Sequence, residues 1–424
     1  MRRTTLLLTI AFMACCHCTA QLSIEKCYRK ARQNYPLVKQ YGLIDKTEDY
    51  NLSNAAKGYL PQLAFTAQAT YQSDVTKLPF GSEITSLTGF EIPTLSKDQY
   101  KASVDINQTV WDGGAIASKK KAIRAKAETD RRQTDVGLYA LNGRVNQLFF
   151  GILLVDAQTD QNRILQDELS RSCRRVESYI RNGVASQADL DAIRVDIVKA
   201  QQDEAQLKTT RSAYAQMLSL LTGEHIGDST RLVRPVAGRP AATSVNNRPE
   251  LALYDSQLGS LKAEDEGVTA GLMPRLSLFA TGGYGKPGFD MLEDKFVLYG
   301  MAGVRLQWNI GSLYTRKNDR RRIATGMEQV ENSRKTFLFD ASMEATQRNA
   351  AIDRLTEQLK YDDEIIRLRG SVRRTTEAKL AGGTATGTDL ARDIDAEQSA
   401  VKARITHEIE LLEAIYNLKY VTNN

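Results

Sequence analysis

The chain has 424 residues, a quarter of them charged, with 57 basic against 51 acidic side chains and a formal charge of +6. That length holds two or three ordinary cores, but the mixed charge leaves no broad basic footprint for nucleic acid. Cys15, Cys16 and Cys18 fall in the first twenty residues, leaving Cys27 and Cys173, so no disulfide scaffold is indicated. After residue 20 only His225 and His407 remain as histidines, and no GxxxxGK phosphate loop occurs. An enzyme, a metal centre or a cofactor is therefore not expected.

From the start, Arg2 and Arg3 precede the apolar run from Leu6 to Ala14 and the small residues Thr19 and Ala20. This is the order of an export signal, residues 1–20, with cleavage leaving Gln21 first. Cleavage at one of the three early cysteines, leaving a lipid anchor at the N-terminus, is the competing reading. A helix is expected over 23–58, with a turn-like break at Asn34-Tyr35-Pro36. Pro61 then changes the period, because proline cannot continue a helix. Phe65, Ala67, Ala69 and Tyr71 alternate with Thr66, Gln68 and Thr70, which predicts a strand over about 64–72. A loop containing Pro79, Gly81, Gly89 and Pro93 separates it from a second strand, about 99–110, with Val104, Ile106 and Val110 on one face.

Trp111-Asp112-Gly113-Gly114 introduces a proline-free helix over 114–180, in which Leu138, Leu141, Val145, Leu148, Ile152 and Val155 recur at spacings of three and four. Such a seam suits coiled-coil-like packing, and about 67 residues make a rod of roughly 100 Å. A reversal at Gly183 leads to a returning helix over 187–223 and a linker over 224–243. The pattern then repeats: helix 244–271, strands about 275–284 and 297–310, long helix 312–381, a reversal at Gly383, and helix 388–422. Val304, Leu306, Trp308 and Ile310 form the apolar, lipid-facing set of the last strand. Arg320-Arg321-Arg322 has no aromatic stacking platform beside it and reads as a solvated helix face.

The duplication is explicit. Pro36 with Pro249, and Pro61 with Pro274, are each 213 residues apart; Gly183 with Gly383, and Asp189 with Asp389, are 200 apart. Two copies of one structural unit follow, residues 21–223 and 244–424. No run of 18 consecutive apolar residues follows the signal, so the membrane candidates are the strands, whose signal is alternation over about ten residues. Alternation alone also fits a half-buried soluble sheet. Four strands are too few to close a barrel around polar faces, and an open edge is forbidden in hydrocarbon; several chains must share one barrel. A surface coiled-coil stalk or adhesin without channel activity would explain the rods but not the paired strands.

The order of Ser23-Ile24-Glu25-Lys26-Cys27, Gly58-Tyr59-Leu60-Pro61-Gln62-Leu63, Trp111-Asp112-Gly113-Gly114 and the segment from Asn182 to Leu190, with their echoes in the second half, resembles the TolC-like outer-membrane efflux protein family. The resemblance implies a mixed α+β membrane protein: a homotrimer whose four strands per chain close a twelve-stranded outer-membrane β-barrel, continued by a periplasmic α-helical barrel of coiled-coil hairpins. It implies a passive channel of a tripartite efflux or type I export system, partnered by a periplasmic adaptor protein and, through it, an inner-membrane pump, with outer-membrane lipid around the barrel and no nucleic acid. The adaptor-docking tips would be Ile180-Arg181-Asn182-Gly183-Val184-Ala185-Ser186 and, after Ala381, Gly382-Gly383-Thr384-Ala385-Thr386-Gly387. The family's gate of carboxylates maps onto Asp389. The next acidic position of the family is Arg392 here, with Asp393 beside it, and the basic residue four before the first carboxylate is Ala385.

Overall fold

The computed structural model describes residues 22–75, 95–236, 238–240, 246–290 and 293–423; the export signal and most of the first long loop lie outside them. The elements run α1 (Ile24–Asn34), α2 (Gln40–Ala56), β1 (Gln62–Tyr71), β2 (Asp98–Trp111), α3 (Ala115–Arg181), α4 (Gln187–Thr222), α5 (Pro249–Gly271), β3 (Arg275–Lys286), β4 (Val297–Gln307), α6 (Ser312–Ala381) and α7 (Gly387–Thr422). Two compact units result, and both draw on both repeats. One comprises Met1–Gln40, Arg132–Ala252 and Arg334–Asn424, the other Tyr41–Arg131 and Leu253–Ser333. The sequence repeat is therefore not the unit of packing.

Three boundaries differ from expectation. The first helix is two helices separated by a 3-10 turn, Pro36–Lys39, because Tyr35 before the proline is extended. The fifth begins at Pro249 rather than 244, with proline at its first position, where the missing N–H costs nothing. The last strand stops at Gln307, opposite Arg275. Pro274 precedes Arg275 and has no N–H for the ladder. Trp308 and Ile310 are accordingly not strand residues. The indole of Trp308 donates to the Leu272 carbonyl at 3.0 Å, and the Ile310 carbonyl accepts from Leu313 N at 3.0 Å in the turn that opens α6.

In the unit holding the sheet, β1-β2-β3-β4 form one antiparallel meander. Its register places Phe65 opposite Val104, Val104 opposite Gly282, Ala280 opposite Ala302, and Leu278 opposite Val304. One entire face is thus apolar, and it is open: Phe65 is 74% exposed, Leu298 83% and Leu306 69%. Tyr100 and Tyr284 stack on Phe296 at 6.2 and 5.6 Å at one end of this face. Trp111 and Trp308 stand exposed at the other, so an apolar band lies between aromatic margins, the pattern of a membrane strand sheet. The opposite face is polar, with Thr281 donating to Asp105 at 2.5 Å and Arg305 lying 4.6 Å over the Phe279 ring. Asp112, buried at the strand-to-helix junction, accepts from Gly114 N and Ile116 N at 3.0 and 2.6 Å and so caps α3. Gly113 has φ +68° there, and any Cβ on it would stand 2.3 Å from that of Met273.

The other unit carries the main core. Val145, Phe149, Phe150 and Ile152 of α3 pack with Ile24 and Cys27 of α1, Ala215 and Leu218 of α4, and Tyr416 of α7. Among the described residues α3 alone has a stretch long and apolar enough to cross a membrane by length and composition, and half of that stretch is buried inside the protein. The linker is fastened to this core. Leu22 bridges Leu232 in parallel, and buried Arg211 donates to Asp156 at 2.6 Å and to the carbonyls of Gly227 and Thr230. Phe150 is 1% exposed; Phe150→Ala is expected to lower stability by about 3–5 kcal/mol through the cavity it leaves, read as a lower denaturation midpoint of the solubilised protein.

Candidate functional site at the helix tips

The two reversals are built alike. At the end of α3, Gly183 takes φ +73°, its N–H donates to Ile180 O at 3.0 Å, and Val184 N donates to Tyr179 O at 2.9 Å. At the end of α6, Gly383 takes φ +69°, and Gly383 N and Thr384 N donate to Leu380 O and Lys379 O at 3.0 and 2.9 Å. This pair of bonds satisfies the last helical carbonyls, and its left-handed residue is the reason for glycine. Each returning helix then opens with a capping box: Ser186 with Asp189 for α4, Thr386 with Asp389 for α7. Leu169, Val176, Leu190, Ile193, Leu380, Leu390 and Ile394 form one apolar cluster behind the turns.

The tips are nevertheless unequal. Asp189 caps its own helix and also accepts the Gly387 N–H of the other tip, at 2.6 Å. A Cβ at Gly387 would lie 2.4 Å from the Asp189 Cβ and 2.8 Å from its Cα; only glycine permits this approach. Burial opposes the charge on Asp189, but the hydroxyl and N–H of Ser186 and the N–H groups of Gly387 and Thr388 outweigh it and hold the carboxyl below its usual range. Asp389 lacks the reciprocal contact. Its Oδ2 accepts from the Thr386 hydroxyl and N–H at 2.8 and 3.1 Å, which lower its pKa with help from Arg392.

Arg392, 70% exposed at its side chain, lies 3.5 Å from both Asp389 and Asp393. Asp393 is buried and accepts from Thr376 at 2.6 Å. The three gate candidates are thus brought together, but only Asp389 and Arg392 present charge to solvent. One turn further in lies a node that sequence reading missed. Arg373 of α6 pairs with Glu168 of α3 at 2.8 Å, with Glu397 of α7 and, at 3.5 Å, with Glu377; Arg175 of α3 reaches Glu377 at 2.8 Å. Burial disfavours the Arg373 charge, and the surrounding carboxylates reverse that. The separations of about 200 residues left no local pattern to reveal this node. The capping boxes, by contrast, are legible as Ser or Thr three residues before Asp.

Comparison with known proteins bears on this architecture. The outer membrane protein VceC from Vibrio cholerae superimposes with a TM-score of 0.66 at 12% identity, covering 95% of this chain and 96% of VceC. The open state of the MtrE outer membrane channel of Neisseria gonorrhoeae gives 0.64 at 15% identity, covering 95% and 89%. These identities establish the fold. The outer membrane efflux protein family model matches residues 27–224. The chain belongs to the TolC-like outer-membrane efflux proteins. The pyoverdine export outer membrane protein OpmQ of Pseudomonas aeruginosa is 25% identical over 280 residues, which span 63% of this chain and 58% of OpmQ. Family membership places the chain in the outer membrane, with its helical part periplasmic and no enzymatic activity.

Gly387→Ala is expected to push the second tip off Asp189, seen as faster amide exchange at residues 387–389 with the rest of α7 unchanged. Because the folded pKa of Asp189 is depressed, its contribution is fully present above its unfolded value, about 4, and is lost as pH falls through the lower folded value. Protection at Gly387, corrected for intrinsic exchange, should be flat from neutral pH down to about 5 and fall only in stronger acid.

Proposed function

We propose that the chain is one third of a homotrimeric channel through which substrates leave the periplasm without chemistry. The observation that carries the reading is the four-stranded sheet. Its apolar face is uncovered, its other face is polar, and its two outer strands, β1 and β4, have no partner among the described residues. In hydrocarbon such edges must pair. Three copies would give a twelve-stranded barrel with the polar faces lining water, including Asp105, Lys101 and Arg305.

The reading extends to a tripartite efflux or type I export system. The tips at 180–186 and 382–387 would dock a periplasmic adaptor, and an inner-membrane pump acting through it would supply the energy and select the cargo. Exposed glycine turns held by capping boxes support this role, since they present a rigid, solvent-facing end. Three copies of the Asp389–Arg392 pair would ring the narrow entrance and focus its field, while the Arg373 node would hold α3, α6 and α7 together in the resting state.

Single-channel conductance of the purified protein in a planar bilayer tests these points. Wild type should conduct weakly, and Asp389→Asn should shift selectivity away from cations. Arg373→Gln, which leaves Glu168 and Glu397 unpaired, should raise conductance severalfold. A well-assembled protein whose Arg373→Gln form never conducts would instead favour the stalk.

A further inference from the structure

The basic cluster at the start of α6 is not absorbed by the channel reading, and it has a counterpart on α3. Residues 115–127 of α3 contain five basic side chains and no acidic one; residues 312–327 of α6 contain five basic and one acidic, Asp319. Some of these cations are neutralised within the chain. Lys121 pairs with Glu266 at 2.6 Å, Arg322 with Glu264 at 2.6 Å, and Arg320 with Asp265 at 3.3 Å. Consecutive acidic residues on α5 thus hold α3 on one hand and α6 on the other, which sets the two basic segments at one level. Lys119, Lys120, Arg124, Arg316, Lys317 and Arg321 are left with no hydrogen bond or ion pair among the described residues. Their spacing is duplicated: they stand four, five and nine residues beyond the first residue of their helix.

That level is fixed relative to the membrane band. At 1.5 Å per residue these positions lie roughly 6–14 Å along helices that begin four residues after the last strand position or its tryptophan. Charges at this depth fall among lipid headgroups, just past the aromatic margin of Trp111 and Trp308. On α6, Arg316, Lys317, Arg320 and Arg321 flank a shallow groove of about 490 Å³ whose floor is Leu313 and Ala324. Tyr314 beside it is 85% exposed. Cations around a small apolar floor suit a phosphate with the glycerol and first methylenes behind it. They suit neither a water-filled lumen nor a dry protein contact, where unpaired charge is costly.

The geometry points to a headgroup site: the paired basic segments of α3 and α6 form a collar that binds anionic phospholipid, of the phosphatidylglycerol class, in the leaflet facing the helices. It rests on the reading of the sheet as membrane-spanning. Each cation near a charged surface multiplies affinity by about fivefold at low salt, so the collar should discriminate anionic from zwitterionic lipid rather than merely touch both.

The test reconstitutes the full-length protein in vesicles of equimolar phosphatidylglycerol and phosphatidylethanolamine, re-extracts it in detergent, and measures the phospholipid it retains. Wild type should retain phosphatidylglycerol severalfold over phosphatidylethanolamine, and high salt during extraction should erase the preference. The variant with Lys119, Lys120, Arg124, Arg316, Lys317 and Arg321 all replaced by Gln should lose the preference at low salt while keeping its assembled size and its conductance. Equal retention of the two lipids by wild type, or unchanged preference in the variant, would overturn the collar. So would a variant that separates into single chains, which would make the cations contacts between copies, or one with altered ion selectivity and unaltered lipid retention, which would place them in the lumen. Conductance on the same preparations separates the two claims: a conducting protein without lipid preference removes the collar alone, and one that neither inserts nor conducts removes the channel as well.

Discussion

A backbone N–H or C=O in hydrocarbon has no water to fall back on, and a four-stranded meander leaves two rows of them unpaired. Much of the remaining architecture answers that condition. The apolar face from Phe65 to Leu306 has no cover in its own chain, so the sheet is stable only where lipid meets one side and further strands meet its edges. The polar face can then be hydrated without cost, which is why Asp105 and Arg305 are tolerated on strands that otherwise read as membrane-embedded. The junctions are correspondingly stiff: buried Asp112 caps α3 on the first residues after β2, and Pro274 ends the ladder before α6 begins.

The periplasmic part solves a different problem. Helices of 67 and 70 residues cannot be stabilised by propensity alone, and their seams are sparse in large apolar side chains. Packing is concentrated instead in discrete clusters, one around Phe149 and Phe150 and one behind the turns around Leu190 and Ile394. Between them, polar and charged contacts connect the helices. Arg373 among three carboxylates is the densest of these. Such contacts specify alignment more than they add stability, because each buried charge gives up much of its hydration for what it gains. They also break and re-form more readily than an interdigitated apolar core, which suits helices that must shift.

How much was legible in advance follows from range. Local rules located the strands, the long helices and both turns, because alternation, the absence of proline and isolated glycines act within a few residues. The same rules overran the last strand to Trp308 and Ile310, whose alternation continues after the ladder has stopped for a reason lying 34 residues away, at Pro274. Asp389 was singled out by family resemblance, yet Asp189 makes the wider set of contacts. Nothing in the spacing of Ser186 to Asp189 announces that its second oxygen reaches the other repeat. The Arg373 node was invisible for the same reason, being assembled from three helices far apart in the chain.

Gly387 marks where the two repeats ceased to be interchangeable. Where the first tip has Gln187, the second must have a residue with no side chain, since Asp189 occupies the space. A ring of identical hairpins would have no preferred starting point and could close with any number that fitted. One dissymmetric contact per chain instead makes the hairpins alternate in kind around the ring, reducing an approximate sixfold axis to a true threefold one. Any binding partner that reads the rim then meets two different kinds of groove, and can be in register with only half of them.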